Sequence, residues 1–548
     1  MGCFNCPVWG ELLYNARMSQ EPLEEPSLSQ SRVQVVWLLL GLTAVFLWRI
    51  VFTFHVNLIP DECSYWTWSR RLDWSYFDNS GMVAYLIRLS TGLFGDNTPF
   101  SVRFPFLVIS GITTFLVYGV SHLLFKNRRN ALIAALMFNL TPVALLGGSA
   151  AIHDNALILF WMTTLWAAAH FLRSRNSKWL LVAGLAAGFS IQSKYTGVLV
   201  LLALLLFLLW NRELRGLLLT REPWLGVAVA VMFTIPVLWW NVVHDWASLH
   251  HILFIGSGSV SFTRRILDGI GYHAAQFALV SPLLYVALLA ACCTSLVRNV
   301  KSPNPEETLL LSFSFPLLLF GVQAFRGHVE ANWSFMGYMS AIILMVEVIA
   351  GAGNDPRRET WKVFRGRYVK WGIALAVVPA ALAVIHAWIG LLPASVERKL
   401  GKYDRVIWET RGWNELGIHV NKLRQPGDII AGDSYQLCAI LEFNVPGNPS
   451  VRYLAPWKRP TQFDVWEPSF DNLAGETLLY VSSRPLKPSS AAGASIYEHF
   501  ERVEGLEPFS VRYHGEPIRE IYVYRGYRFD PFSPRRLGPR SLFYSDYE

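Results

Sequence analysis

Charged residues are scarce in this sequence. Asp, Glu, Lys and Arg make up 16% of the 548 residues, whereas 53% are hydrophobic and the mean hydropathy is +0.31. Soluble domains usually carry about 25% charged residues, so the composition excludes an ordinary soluble protein. Uncharged apolar runs of about 20 residues, the length that spans a bilayer, recur before residue 393 and are lacking after it.

Cysteines are also few, and their spacing matches neither a zinc site nor a disulfide framework. The six are Cys3, Cys6, Cys63, Cys292, Cys293 and Cys438. No cleavable signal peptide is visible, because the first apolar run begins near Val33 and is long enough to span. The net charge of +8 lies in short basic clusters between apolar runs. Because these basic residues are not gathered on one polar face, a nucleic-acid partner is not expected.

Eleven membrane-spanning helices are predicted from the apolar runs. They lie at residues 33–54, 104–125, 131–152, 154–172, 179–193, 195–210, 223–243, 272–297, 308–325, 332–352 and 371–393. Basic clusters follow every second span, and the positive-inside rule places them all in the cytoplasm. This pattern requires two helices at 179–210, broken around Lys194. It places the N-terminal tail, residues 1–32, inside and the chain after residue 393 outside.

We therefore predict an all-α polytopic membrane domain over residues 33–393, with a large outer loop at 55–103. A small α/β extracytoplasmic domain follows over residues 394–548. This last segment is rich in Pro, Arg, Asp and Glu, and its short strand-like runs lie at 428–431, 477–481 and 521–524. Its length, about 155 residues, is enough to bury a separate core.

Ionisable side chains gather at the predicted outer ends of the spans. Asp61 and Glu62 follow the first span, Asp154 begins the fourth, and Lys194 lies at the break between two others. Ionisable groups at such depths are costly and tend to be functional. Helix capping is an alternative role for the acids. Snorkelling to the headgroups is an alternative for Lys194, although a lone outer lysine runs against the positive-inside trend.

An ordered series of motifs over most of residues 55–350 resembles the GT-C superfamily of bacterial glycosyltransferases. The branch it resembles contains protein O-mannosyltransferases and the lipid A aminoarabinose and galacturonic acid transferases. The series is Asp61-Glu62-x-x-Tyr65-Trp66, Leu72-Asp73-Trp74-x-Tyr76-Phe77-Asp78, Phe94-Gly95-Asp96, Arg103-x-Pro105, Asp154, Gly184-Leu185-Ala186, Lys194-Tyr195, Trp240-Asn241-x-x-His244-Asp245-Trp246 and Glu330-x-Asn332-Trp333. The chain departs from its relatives at Asn79-Ser80-Gly81, where they often have His-Pro-Pro.

The resemblance implies a GT-C fold with an outward-facing cavity in a bacterial inner membrane. It implies inverting transfer of a monosaccharide from a polyprenyl-phosphate donor to an acceptor that is a glycolipid such as lipid A, a polysaccharide or a protein. Asp61 resembles the essential acid of the first outer loop. The catalytic candidates are Asp61, Glu62 and Asp154. The substrate-binding candidates are Tyr65, Asp78, Lys194, Tyr195, His244, Arg264, Arg265, Glu330 and Asn332.

The chemistry of such a transfer suggests roles for these residues. A departing phosphate needs positive charge, which Lys194 with Arg264 or Arg265 could supply. A hydroxyl acceptor needs a base within hydrogen-bond reach, and Asp61 could take its proton. If the acceptor is itself a phosphate, no base is needed, and Asp61 would position the sugar or bind a metal.

A divalent metal ion is a further possibility. Glu62, Asp78, Asp154 and His244 are suitable ligand types, but their sequence separation does not show whether they converge. Capping and interfacial anchoring are alternatives for Glu330 and Asn332.

Two other functions fit a polytopic protein: a lipid or sugar transporter or flippase, and a scaffold for envelope assembly. Glu347, deep in the tenth span, favours transport. A transporter would be expected to show repeated halves and charge at the midplane. No internal repeat is visible, and the charges cluster at the outer ends of the spans. A scaffold has no need of the acidic pair and the outer lysine together. The enzyme is therefore the leading prediction.

Overall fold

The computed structural model describes residues 28–254, 261–327, 329–351, 367–455 and 458–532. Residues 1–27 of the predicted cytoplasmic tail lie outside these ranges. The membrane part contains α1 Leu28–His55, α2 Pro60–Arg70, α3 Met82–Phe94, α4 Pro99–Phe125, α5 Arg128–Asn139, α6 Pro142–Gly147, α7 His153–Ser174, α8 Lys178–Ser193, α9 Leu199–Trp210, α10 Glu222–Val243, α11 Ala247–Phe254, α12 Phe262–Val280, α13 Pro282–Lys301, α14 Pro305–Gln323, α15 Tyr338–Gly351 and α16 Arg367–Ile389.

Within the described ranges, eight helices are long and apolar enough to cross a membrane. They are α1, α4, α7, α10, α13, α14, α16 and the helix at Ala331–Ala350 that ends in α15. The other three predicted spans are shorter helices. The segment 131–152 divides into α5 and α6, and the segment 179–210 divides into α8 and α9 around Lys194, as predicted.

The prediction of one continuous span over residues 272–297 is wrong. The chain breaks at Ser281, which has a φ of 109°, and Pro282 opens a new helix, α13. Proline favours the first helical position because its missing N–H would be unpaired there. The Ser281 hydroxyl accepts a hydrogen bond from the N–H of Leu284, so the sequence itself caps the new helix.

Small residues bring α7, α8 and α10 close together. A Cβ atom on Gly184 of α8 would lie 2.0 Å from the carbonyl oxygen of Gly226 in α10, so only glycine fits at this crossing. Close approach through small residues is typical of helix pairs in membranes. The crossing places the end of α8, with Lys194, beside the end of α10, with Trp240 and Asn241.

All six described strands follow the last long helix, which confirms an all-α membrane part followed by a small α/β part. The elements after α16 are α17 Ala394–Leu400, α18 Arg405–Thr410, α19 Trp413–Leu423, β1 Ile429–Gly432, α20 Tyr435–Asn444, β2 Arg452–Tyr453, α21 Gln462–Trp466, β3 Leu478–Ser482, α22 Ala491–Glu498, β4 Phe500–Gly505, β5 Phe509–Tyr513 and β6 Glu516–Phe529. The sheet order is β2-β1-β3-β6-β4, with β5 also paired to β6. Strands β1, β2 and β3 are parallel, whereas β6 is antiparallel to its partners.

The C-terminal α/β part sits directly on the first outer loop. Helix α20 packs against α2, and the buried carboxylate of Glu442 accepts a hydrogen bond from Arg71 at 3.2 Å. Arg70 lies 3.6 Å from the same carboxylate. The side-chain oxygen of Gln462 accepts a hydrogen bond from the N–H of Phe77 at 2.6 Å. This packing carries residues of the C-terminal part to the predicted site.

Candidate active site

Glu62 forms a buried ion pair with Arg103. Both side chains are fully buried, and the Arg103 Nε atom donates to Glu62 at 2.7 Å. The backbone N–H groups of Ile59 and Ala151 donate to the same carboxylate at 3.1 and 2.8 Å. Since protein donors saturate this carboxylate, we interpret Glu62 as a structural residue that joins α2, α4 and the start of α7.

Lys194 and Asp154 form the second buried pair at this end of the bundle. The Lys194 Nζ atom lies 2.8 Å from Asp154 Oδ1, and their side chains are 9% and 7% exposed. Helix α8 ends at Ser193, and the extended backbone of Lys194 starts the turn. The turn needs Gly197, because a Cβ atom there would lie 2.2 Å from the Ser190 carbonyl oxygen.

The second oxygen of Asp154 binds Asn332. The Asn332 side-chain amide donates to Asp154 Oδ2 at 2.9 Å. Asp154 does not cap its own helix, since the N-cap of α7 is Ile152 and has no side-chain cap. Glu330 is an N-cap residue, but its side chain makes no capping bond. Asn332 thus contacts Asp154, its binding of substrate stays a prediction, and the capping alternatives for Asp154 and Glu330 are not observed.

The departure from the relatives' pattern at Asn79-Ser80-Gly81 makes a tight turn held against α8. The Tyr76 N–H donates to the Asn79 carbonyl at 3.0 Å, and the Ser80 hydroxyl donates to the Ile191 carbonyl at 2.9 Å. Tyr195 binds the same loop, with its hydroxyl 3.0 Å from that of Ser75. The loop therefore reaches the Lys194 turn through polar contacts.

A strained turn follows α10 and borders the site. Asp245 and Trp246 have φ angles of 53° and 59°, in the left-handed region that non-glycine residues rarely adopt. Strain of this kind often occurs at functional sites. The turn leads into α11, whose Ser248 hydroxyl donates to the Tyr76 carbonyl at 2.9 Å. It also carries His251 to the outer loop.

Asp78 pairs with an arginine and a histidine that come from distant parts of the chain. Arg459 of the C-terminal part lies 3.0 Å from Asp78, and His251 of α11 lies 3.2 Å from it. Burial opposes ionisation of Asp78, yet Arg459 and His251 hold the pKa of this carboxyl well below its usual range. Asp78 is therefore ionised at any physiological pH.

Asp61 lies half-buried at the start of α2, among other acids. Burial and the negative charge of Glu409 raise the pKa of Asp61 to about 6, although Arg405 acts in the opposite direction. Tyr65, one turn along the same helix, links the site electrostatically. Burial and the charges of Asp61, Asp154 and Asp78 raise the pKa of the Tyr65 hydroxyl well above its usual value. These three carboxylates thus share one neighbourhood around Tyr65.

Three residues that were predicted to contact the substrate, Arg264, Arg265 and His244, lie outside the two ion pairs of the site. Arg264 and Arg265 are exposed on α12, and Arg264 pairs with Asp268 at 3.0 Å. They lie about 18 Å of helix before Gln276, which binds the Ala331 carbonyl beside Asn332. Among the described contacts, neither arginine touches Lys194. His244 stacks on Trp240 with ring centroids 4.0 Å apart.

The four predicted metal ligands do not form one group in the described part of the chain. Arg103, Lys194 and Arg459 pair with Glu62, Asp154 and Asp78 respectively, and His244 hydrogen-bonds the Trp240 carbonyl.

A different acidic group, His386, Glu397 and Asp404, has ligand atoms within 4.8 Å of one another. It is a poor metal site. The Leu391 N–H donates to His386 Nδ1 at 2.8 Å, so the proton of a neutral ring resides on Nε2, which faces Asp404.

The sequence interpretation missed Arg459 and His251, and it named Trp240 only as part of a motif. The Trp240 ring N–H donates to Asp73 at 2.9 Å and orders the outer loop. Arg459 lies 381 positions after Asp78. No local pattern could connect them. The sequence offered a weak indication of His251, because this residue lies in the short helix that directly follows the motif beginning at Trp240.

Comparisons with known proteins agree with this architecture. Residues 78–240 match the family model described as dolichyl-phosphate-mannose-protein mannosyltransferase. The chain is 29% identical to the lipid A galacturonosyltransferase RgtD of Rhizobium johnstonii over 67% of this chain and 75% of that protein. It is 29% identical to the undecaprenyl phosphate-alpha-4-amino-4-deoxy-L-arabinose arabinosyl transferase of Pectobacterium carotovorum over 59% of this chain and 61% of that protein.

The fold is also similar to a solved structure. ArnT from Cupriavidus metallidurans bound to undecaprenyl phosphate superposes with a TM-score of 0.58 at 14% identity, over 89% of this chain and 98% of that one. At this identity the similarity concerns the fold alone. The family match and the relatives show that the chain is a membrane glycosyltransferase, and they support the predicted resemblance to the GT-C superfamily. The prediction of an enzyme is confirmed, and the transporter and scaffold alternatives are set aside.

Proposed function

We propose that this enzyme transfers a monosaccharide from a polyprenyl-phosphate donor to a glycolipid acceptor of the bacterial cell envelope. The observation that carries the proposal is the convergence of the pairs Lys194–Asp154 and Arg459–Asp78 with Asp61 around Tyr65. The relatives named for lipid A and for undecaprenyl-phosphate aminoarabinose support this choice of donor and acceptor. A polysaccharide or protein acceptor would use the same chemistry.

The positive groups suit the donor. In the reaction an acceptor oxygen attacks the anomeric carbon, and the bond from that carbon to the phosphate oxygen breaks. The departing polyprenyl phosphate gains negative charge, which nearby cations stabilise. Lysine has three N–H donors, and among the described residues Lys194 uses one of them on Asp154. Lys194 can therefore bind the phosphate without losing its partner.

Asp61 is suited to act as the general base that activates the acceptor hydroxyl. A general base works best when its pKa is near the working pH. The Asp61 pKa of about 6 leaves this carboxylate ionised at neutral pH but more basic than an ordinary aspartate. It would take the hydroxyl proton as the new glycosidic bond forms on the opposite face of the sugar from the departing phosphate. This geometry gives inversion.

The cellular arrangement is part of the proposal. Basic clusters follow every second predicted span, so the positive-inside rule puts the N-terminus in the cytoplasm. The site and the α/β part would then face the periplasm from the inner membrane. Arg459 and Gln462 would close the outer loop over bound substrate from that side.

Transfer of labelled sugar in membranes containing this protein tests the proposal. A panel of polyprenyl-phosphate monosaccharides would be offered to the native enzyme and to Asp61→Asn and Lys194→Ala. We expect one donor to be consumed, and each variant to lose roughly 100-fold in rate or more.

Lys178→Ala is the matched control, because Lys178 is an exposed lysine at the opposite end of α8. It should keep full activity. Protein level and thermal unfolding would be measured for every variant. Full activity of Asp61→Asn, or no consumption of any donor, would contradict the proposal.

A further inference from the structure

A long groove runs along the outside of the bundle between α1, α4 and α5, away from the proposed active site. Its volume is about 1380 Å³. The walls are mostly apolar and include Leu39, Phe46, Phe115 and Leu132. Along α1 the groove extends from Arg32 to Arg49, which is about 25 Å of helix and close to the thickness of the hydrocarbon core.

One end of this groove is strongly basic. Arg32 at the start of α1 faces Lys126, Arg128 and Arg129 at the turn between α4 and α5. Lys126 has a φ of 57° and Asn127 caps α5, so the turn has a defined shape. Among the described residues, these four cations have no ion-pair partner. Four cations at one end of an apolar groove, without an ion-pair partner in the described part of the chain, are complementary to an anionic headgroup that carries hydrocarbon chains.

A second groove on the bundle differs from the first in its charge. It lies between α7, α8, α9 and α10, has a volume of about 490 Å³, and has no charged lining residue in the described part of the chain. Any crevice on a membrane bundle can admit an acyl chain. Only charge next to the crevice selects an anionic headgroup.

We propose that the groove between α1, α4 and α5 is a binding site for an anionic phospholipid. The phosphate headgroup contacts Arg32, Lys126, Arg128 and Arg129, and an acyl chain lies along Leu39 and Phe46. This site is separate from the sugar-transfer site and does not depend on the proposed donor. In the proposed orientation it opens to the cytoplasmic leaflet.

Native mass spectrometry of the full chain in mild detergent tests this site. The probes are phosphatidylglycerol and phosphatidylethanolamine with the same acyl chains. We expect the native protein to retain phosphatidylglycerol preferentially. The triple variant Lys126→Gln, Arg128→Gln, Arg129→Gln should lose retention by roughly tenfold or more, since each cation near an anionic lipid surface contributes on the order of fivefold.

Two further variants separate this site from general surface charge. Lys178→Gln, Arg212→Gln, Arg221→Gln removes three exposed cations that do not line the groove, and should retain the lipid fully. Gly111→Leu keeps every charge but fills the groove, because a Cβ atom there meets only Phe46, at 3.6 Å. It should reduce retention of both lipids.

Equal retention of the two lipids by the native protein would overturn the proposal. So would an equal loss in both triple variants, or full retention by Gly111→Leu. Displacement of phosphatidylglycerol by equimolar undecaprenyl phosphate would assign the groove to the polyprenyl chain instead.

Discussion

Two buried ion pairs lie at the same end of this molecule and differ in how completely they are bonded. The Glu62 carboxylate takes hydrogen bonds from Arg103 and from two backbone N–H groups. Lys194 gives one hydrogen bond, to Asp154, among the described residues. Both acids begin a helix at the outer end of the bundle. The saturated pair can only hold the fold, whereas the unsaturated pair can still bind a phosphate.

The largest expected effect comes from breaking the saturated pair. Arg103→Met would leave the Glu62 charge buried without its partner, which costs about 3–5 kcal/mol. Thermal unfolding in detergent should show a strongly lowered midpoint, with little folded protein at 37 °C. Lys194→Ala should retain more stability and lose its activity. If Arg103→Met were as stable as the native enzyme, Glu62 would not have the structural role assigned to it.

The next prediction concerns Arg459, the cation that the C-terminal part places beside Asp78. Arg459→Gln removes a charge from the Asp78 pair but keeps a hydrogen-bonding side chain. We expect a loss of roughly 10- to 100-fold in kcat/KM, because charge-assisted contacts to phosphate or carboxylate contribute about 1.5–3 kcal/mol.

Arg502→Gln, on exposed strand β4, is the matched control and should behave as the native enzyme. An unchanged rate for Arg459→Gln would confine the C-terminal part to a structural role.

The pH profile separates Asp61 from Asp78. A base with a raised pKa loses its ionised form as the pH falls through that value. With the Asp61 pKa near 6, kcat/KM should decline roughly fivefold between pH 6 and pH 5. Asp78 has a strongly lowered pKa and stays ionised over this range, so it should not contribute. A flat profile from pH 5 to pH 8 would argue against Asp61 as the base.

The smallest effect is expected from metal removal. Glu62, Asp154 and Asp78, the carboxylates of the predicted ligand set, each have a cationic partner. Incubation with EDTA should therefore change the transfer rate by less than about twofold, since a required ion would have to displace these partners. A large loss that added Mg²⁺ or Mn²⁺ restores would show that a metal takes part after all.

Much of the fold could be read from local patterns. The predicted strand runs at 428–431, 477–481 and 521–524 fall within one residue of β1 and β3 and inside β6. The break at Lys194 followed from the distribution of basic clusters alone. The predicted span at 272–297 failed because its apolar character continues across Ser281, where a serine cap and Pro282 divide the helix. Hydropathy averages over a window and cannot register a single capping residue.

The site was only partly predictable. Asp154 and Lys194 stood out because polar groups at membrane depth are rare, whereas Asn332 came from the motif series. The structure brings the three together. Asp61 and Glu62 are adjacent in sequence, and nothing local distinguishes their roles. Arg264 and Arg265 had the right charge, but helix α12 holds them away from Lys194.

The sequence by itself determined the environment of this protein, a bilayer crossed by apolar helices with charged residues near the helix ends. Those properties depend on residue type and spacing, which each segment carries independently. Only the tertiary structure decided which charges pair. It pairs Glu62 with Arg103, and it pairs Arg459 with Asp78, which lies 381 positions earlier in the chain. Pairing depends on distances of a few ångströms, which arise only when helices from remote parts of the chain pack together.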